Sequence, residues 1–165
     1  KSILRTHPCV VFQGKAIAPL VELVNLRGTS GIFYDVIGGP DAVKNEISAR
    51  FEQYCLDFTR AMLPDTRIDS EVTYRFRGNN IRSPDMLIYR HNQLAIVMEC
   101  KATRMSYEAR FGDDPLVENG YAEMAKGIFQ IWRFASHARR GFLPDVQMAN
   151  DVKGVVITLD AWLSM

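Results

Sequence analysis

Apolar and polar positions along the chain follow two periods. From Asp41 onward, Val43, Ile47, Phe51, Tyr54, Cys55, Phe58 and Met62 recur at helical spacing. They predict one amphipathic helix, with Asp41 as its N-cap and Pro64-Asp65 closing it. Val72, Tyr74 and Phe76 then alternate with Thr73, Arg75 and Arg77, the period-two pattern of a half-buried strand, and Gly78-Asn79-Asn80 reads as a turn. Asp85 to Tyr89 predicts a second strand, Arg90 to Gln93 a hairpin loop, and Leu94 to Ala102 a third strand. The unbroken apolar run Leu94 to Met98 places that third strand centrally in a sheet. Residues 103–118 are polar and acidic and read as a loop or flap. A long helix follows from Asn119 to Arg140, with Tyr121, Met124, Ala125, Ile128, Ile131, Trp132, Ala135 and Ala138 on its buried side; Gly141 and Pro144 end it. Val152 to Leu159 is a last strand. Upstream, Val10 to Phe12 predicts a short strand, Pro19 to Leu26 a short helix, Arg27 to Gly31 a loop and Gly38-Gly39-Pro40 a break. The order helix, three strands, helix, strand describes a compact α/β domain over 41–165. Residues 1–40 are a lead segment of unassigned role, packed on that core or left from a larger chain.

Composition narrows the class. Of 165 residues, 47% are apolar and 24% charged, the balance of an ordinary globular domain rather than a disordered or fibrous chain. No apolar run reaches the roughly 20 residues that span a bilayer, so no membrane partner is expected. Cys9, Cys55 and Cys100 are odd in number and widely spaced without CxxC, the signature of reduced thiols and a cytoplasmic setting. The chain starts at Lys1 without a signal-peptide plan and ends in the apolar stretch Ala161 to Met165, as a domain excised from a longer protein would.

Twenty Lys and Arg against nineteen Asp and Glu leave a net charge of +1, so nucleic-acid binding through bulk charge is not indicated. The charge is uneven, however. Lys1, Arg5, Lys15 and Arg27 face only Glu22 within residues 1–34, and Arg75, Arg77, Arg82 and Arg90 face only Asp85 within 75–90. Asp113, Asp114, Glu118 and Glu123 cancel much of this elsewhere. Local basic patches can hold a polyanion under a neutral total; ordinary surface salt-bridging is the alternative.

The candidate chemistry lies at Asp85, Glu99 and Lys101. Glu99 and Lys101 are two apart on a strand, so both side chains leave one face. Asp85 begins the strand joined to theirs by a short hairpin, which lets its carboxylate lie beside Glu99. Adjacent carboxylates repel, and a hard divalent cation with oxygen ligands is the cheapest compensation. Lys101 beside them could position or deprotonate a water for attack on a phosphodiester. Solvated ion pairing is the simpler account of Glu99 and Lys101, but charges that interrupt the run from Leu94 need a partner or a task. Asp85 after Ser83-Pro84 could equally cap a turn.

Pro84-Asp85, thirteen intervening residues and Glu99-Cys100-Lys101 resemble the PD-(D/E)XK nuclease superfamily, whose members share a restriction-endonuclease-like core. The dipeptide alone is uninformative, since Pro-Asp also occurs at 40–41, 64–65 and 144–145, and Asp151-Val152-Lys153 repeats the acid-x-Lys pattern. Only Asp85 and Glu99 lie on consecutive predicted strands. The resemblance covers about residues 41 to 160 and implies a central mixed sheet of about four or five strands flanked by helices. It also implies that Asp85 and Glu99 hold Mg²⁺ (Mn²⁺ substituting) with the backbone carbonyl of Cys100, and that Lys101 orients the attacking water. Phe51-Glu52 resembles the acidic residue many members carry on the first helix, so Glu52 is a candidate ligand and catalytic residue. Glu46 is held in reserve because Glu52 only borders the apolar stripe. Gln130 resembles a glutamine that recurs on the helix after the ExK strand; otherwise it is one of a wetted face with Lys126, Arg133 and His137.

The expected function is a Mg²⁺-dependent endonuclease on DNA rather than RNA, in restriction, phage defence or repair, with further domains or a homodimer allowed. A catalytically inactive module of the same fold, binding nucleic acid or protein, is the first alternative. An unrelated enzyme in which the triad is a chance salt-bridge network is the second. His7, His91 and His137 lack metal-ligand spacing, and no GxSxG is present. Phe129, Trp132 and Phe134 are read as core rather than as a base-stacking platform.

Overall fold

The structure is a computed structural model that describes residues 3–5, 7–31, 40–103 and 119–159. The predicted acidic loop with Asp113, Asp114 and Glu118, the Gly38-Gly39 break and the terminal stretch from Ala161 lie outside the described residues. The chain divides into two units, Lys1–Ile47 and Ser48–Met165, a boundary inside the first helix of the expected core rather than before it.

In the first unit, strands β1 (Val10–Phe12) and β2 (Lys15–Ile17) form an antiparallel hairpin, and helix α1 (Val21–Leu26) runs into a π-helical turn, Arg27–Gly31, where a loop is predicted. Helix α2 (Asp41–Met62) begins here. Asp41 is its first residue rather than its N-cap, and the carboxylate holds Lys44 Nζ at 3.1 Å.

The second unit is an α/β layer structure. Its main sheet has the order β3-β6-β7-β8, formed by β3 (Arg67–Ser70), β6 (Met86–Arg90), β7 (Gln93–Lys101) and β8 (Met148–Thr158). The first two pairings are antiparallel, and β7 with β8 is parallel, so the sheet is mixed. A parallel pair needs a crossover, and helix α3 (Asn119–Arg139) lies in the β7–β8 connection. Strand β7 is central, as its apolar run predicts.

One prediction needs correcting. Residues 72–77 do not supply an outer strand of this sheet. Strands β4 (Thr73–Phe76) and β5 (Asn79–Arg82) make a separate hairpin, and the outer strand is β3, to which the sequence pattern assigns no element. Arg67-Ile68-Asp69-Ser70 buries only Ile68, so an edge strand of this composition leaves almost no period-two signal. The turn also falls one residue earlier than predicted, at Arg77-Gly78, where φ is +50° and +85°; two successive positive φ values match the strand twist of a type I′ hairpin.

The sheet buries both faces. On one, Phe134 and Ala138 of α3 pack against Leu87, Tyr89, Leu94 and Val97; on the other, Cys55 and Leu56 of α2 pack against Met86 and Ile88, with Met98 and Cys100 alongside. Each fully buried side chain of this size contributes about 1.5–3 kcal/mol. A bulge at Ala95, where Tyr89 pairs with Leu94 but Ile88 with Ile96, lets Leu94 and Val97 share a face despite their odd spacing. Gly154 lets α3 approach β8 closely: a Cβ there would lie 2.7 Å from Ile131 Cγ2.

Both predicted helix stripes are rotated. Tyr54, Phe58 and Met62 of α2 are exposed, and so are Ala125, Ile128 and Trp132 of α3, together with Phe129. Phe134 is core as predicted, whereas the inward line of α3 runs through Gly127, Gln130, Phe134 and His137. The buried side of α2 takes in Leu56, Glu52 and Thr59 beside Cys55, off the centre of its apolar stripe, and α3 carries apolar side chains on several sides, so periodicity alone could not fix which arc faces the sheet. Among the described residues no helix is long and apolar enough to cross a membrane.

Candidate active site

Glu99 and Lys101 occupy the last turns of the pleat of β7, beyond the bulge, so they share the face with Val97, beneath α3. Asp85 immediately precedes β6, and the last paired residues before it, Met86 and Met98, bring the two strand ends together. The Asp85 carboxylate accepts a 2.6 Å hydrogen bond from the backbone N–H of Cys100. Successive strand residues alternate their hydrogen-bonding edges, and the N–H and C=O of one residue share an edge. Lys101 uses its carbonyl to accept from Leu159 on the β8 side, so the Cys100 carbonyl is directed to the Asp85 side.

Lys101 Nζ donates to Glu99 Oε1 at 2.9 Å and to Gln130 Oε1 of α3 at 3.0 Å. Gln130, drawn from the nominally wetted face, is thus part of the cluster. Its neighbour Gly127 makes this approach possible: a Cβ there would stand 3.1 Å from Lys101 Cε and 3.4 Å from Glu99 Cγ. Glu99 is 2% exposed, and its second oxygen, Oε2, is buried with no hydrogen-bond partner. A buried carboxylate oxygen without a donor is costly, and in a native site it calls for an ion, a water or a function.

The charges agree. Burial first, then repulsion from Asp85, pushes the Glu99 carboxyl above its ordinary range, against the pull of Lys101. Burial raises Asp85 too, opposed by the Cys100 N–H and by Lys101. Glu52 on α2 is raised by burial and then by Asp85 and Glu71, with Arg82 opposing. Asp85 and Glu99 thus share one ammonium group, Lys101, and Glu52 repels both carboxylates, the arrangement in which added positive charge is favourable. Glu46 is exposed. Cys100 turns to the α2 face beside Cys55, and burial lifts its thiol beyond the range of a reactive sulfur.

Glu71 and Ser83 carried no functional signal in the sequence, and Arg82 counted there only toward a basic patch. Glu71 and Arg82 pair at 3.3 Å across the root of the β4–β5 hairpin and bear on Glu52. Ser83, 2% exposed, ties that root down: its N–H donates to the Val72 carbonyl, and its Oγ accepts from the Val72 N–H and donates to the Pro84 carbonyl. These contacts join positions eleven residues apart and fix the chain directly before Asp85.

Asp85, Glu99 Oε2 and the Cys100 carbonyl fit a hard cation by donor type, with Glu52 on the adjoining helix; among the described residues, no three His, Cys, Asp or Glu side chains already form a complete ligand group. A cavity of about 640 Å³, bordered by Asp65, His91, Asp151 and Lys153, lies toward the opposite end of β7 and includes none of these site residues. No family model, curated protein or solved structure matches the chain.

Proposed function

We propose that the protein is a Mg²⁺-dependent nuclease of PD-(D/E)XK type, with a restriction-endonuclease-like core, that hydrolyses phosphodiester bonds of DNA. The observation that carries this reading is the buried, unpartnered Glu99 Oε2 beside Asp85, with Lys101 held between Glu99 and Gln130. Asp85, Glu99 and the Cys100 carbonyl would hold the ion, assisted by Glu52. Bound there, a divalent cation supplies Lewis-acid polarisation of the phosphate and lowers the pKa of a coordinated water. Lys101 presents an ammonium group that can orient the attacking water and neutralise charge developing on the phosphate, and Gln130 keeps it from collapsing entirely onto Glu99. Burial raises the Asp85 carboxyl, and the Cys100 N–H and the charge of Lys101 favour its ionised form against that burial.

The test is cleavage of supercoiled plasmid by the purified protein with Mg²⁺, Mn²⁺ or EDTA. Nicking that needs the cation and vanishes in Asp85→Ala and Lys101→Ala, both still folded by circular dichroism, is the expected result. A Lys101→Ala protein that cuts as fast as the parent overturns the assignment. A second reading is a module of this fold that binds nucleic acid without cutting it, its basic side chains Arg75, Arg77 and Arg82 meeting phosphate. That reading expects DNA to shift in a gel with no Mn²⁺ uptake by calorimetry.

A further inference from the structure

Strands β3 and β6 are adjacent partners, with Ser70 opposite Met86, so residues 71–85 leave and rejoin the sheet at the end that carries Asp85. The β4–β5 hairpin is this excursion, and it is anchored at its inward face and at its root. Its inward face inserts Tyr74 and Phe76 against α3 and the segment that follows it. Tyr74 packs edge-on to Phe134 and its hydroxyl meets His137 Nδ1 at 2.9 Å, while Phe76 stacks on the His137 ring at 3.9 Å between centroids. The Ser83 bonds close its root.

The other face is exposed and polar. Cross-strand pairing puts Arg75 opposite Asn80 and Thr73 opposite Arg82, and all four are exposed, with Arg77 at the tip. Residues 73–82 contain three arginines and no acid. Arg82 pairs with Glu71 just outside, but its side chain is 77% exposed, and such a surface pair is weak enough to be exchanged for a phosphate. The charge of Arg82 also reaches Glu52, so this face adjoins the carboxylates.

We infer that the β4–β5 hairpin is a groove-binding ribbon for B-form duplex DNA, with Arg75 and Asn80 presented to base edges and Arg77 and Arg82 to phosphates. The inference rests on the nuclease reading. A two-stranded ribbon fits the major groove, about 12 Å wide in B-DNA, and arginine and asparagine are the side chains that make bidentate contacts to guanine and adenine there. The hairpin's two aromatics, Tyr74 and Phe76, are turned inward, which removes the stacking platform that single-strand binders use. The deep, narrow major groove of A-form RNA does not admit such a ribbon.

The test measures binding of a fluorescent 40-base-pair duplex and its single strand in Ca²⁺, and cleavage of the same duplex in Mg²⁺, for the parent, Lys101→Ala and Arg75→Ala/Asn80→Ala. The double variant should keep the parental melting temperature, bind the duplex about 10- to 100-fold more weakly, and recover cleavage at saturating DNA. Methyl green, a major-groove ligand, should displace the parent, and netropsin, a minor-groove ligand, should not. If Lys101→Ala is inactive while the double variant binds and cuts as the parent does, the hairpin assignment is overturned and the nuclease reading stands. Displacement by netropsin alone also overturns it. A parent that neither binds nor cuts the duplex overturns both.

Discussion

Gly127→Ala separates what α3 gains as a helix from what the site loses. Gly127 lies in the helix interior without a positive φ, so alanine suits its backbone and favours the helix by about 0.8–1 kcal/mol. The new Cβ would meet Lys101 Cε at 3.1 Å, Glu99 Cγ at 3.4 Å and Lys101 Cγ at 3.7 Å. The first contact is about 0.4 Å inside the carbon–carbon optimum, and the lysine stem must twist to relieve it, at a cost of about 0.5–1.5 kcal/mol. The two terms nearly cancel, so stability should stay within about 1 kcal/mol of the parent, or about 2–4 °C in Tm for a chain of this size. Activity should not escape as easily. The Lys101 ammonium is fixed by bonds of 2.9 and 3.0 Å, and a displacement of 1 Å at a reacting centre costs about a hundredfold, so a few tenths of an ångström should cost about three- to tenfold in nicking rate. Gly127→Leu, which overfills the same space, should lose about 1–3 kcal/mol and nearly all cleavage. Differential scanning calorimetry and single-turnover plasmid nicking give the two readouts. Parental nicking by Gly127→Leu would refute the account of α3 holding Lys101 in place.

Three further outcomes follow from the same contacts. Lys101→Met leaves the buried Glu99 carboxylate without its cation and should cost about 3–5 kcal/mol, as breaking a buried pair does. Because the raised carboxyl then binds its proton more readily in the folded state, this loss should be largest at pH 8 and shrink toward pH 5, as read by urea denaturation. Mn²⁺ should raise the melting temperature of the parent more at pH 8 than at pH 5, where protons compete for Asp85, Glu99 and Glu52, and should have no effect on Asp85→Ala. His137 titrates below its ordinary 6.5 because burial and the charges of Arg133, Arg140 and Arg77 disfavour the imidazolium. Its contribution is therefore present above pH 6.5 and lost as the pH falls through that value toward the lower folded one. Tyr74→Phe, which removes the hydroxyl at His137 Nδ1, should cost about 1–2 kcal/mol in chemical denaturation at pH 7.5.

Local pattern by itself determined the α/β class, the two long helices and the central position of β7, and it put Glu99 and Lys101 on one strand face with Asp85 as a candidate beside them. These follow from period and spacing. Leu94 to Met98, a short apolar run bounded by a turn, predicts a central strand, and side chains two apart on a regular strand share a face. Tertiary structure decided the rest, because it depends on which surfaces meet. The rotation of α3 is set by contact with β7 and β8 through Gly127 and Gly154, and this turns Gln130 inward and leaves Trp132 exposed. The outer strand is β3 rather than β4, because pairing with β6 compensates for a weak apolar pattern at Arg67–Ser70. The freed segment 73–82 becomes the basic hairpin. The unpartnered oxygen of Glu99, which carries the functional reading, is equally a product of packing: α3 buries the carboxylate, while Lys101 Nζ donates to Glu99 Oε1 and to Gln130 Oε1, 29 residues further along the chain, and Oε2 receives no donor.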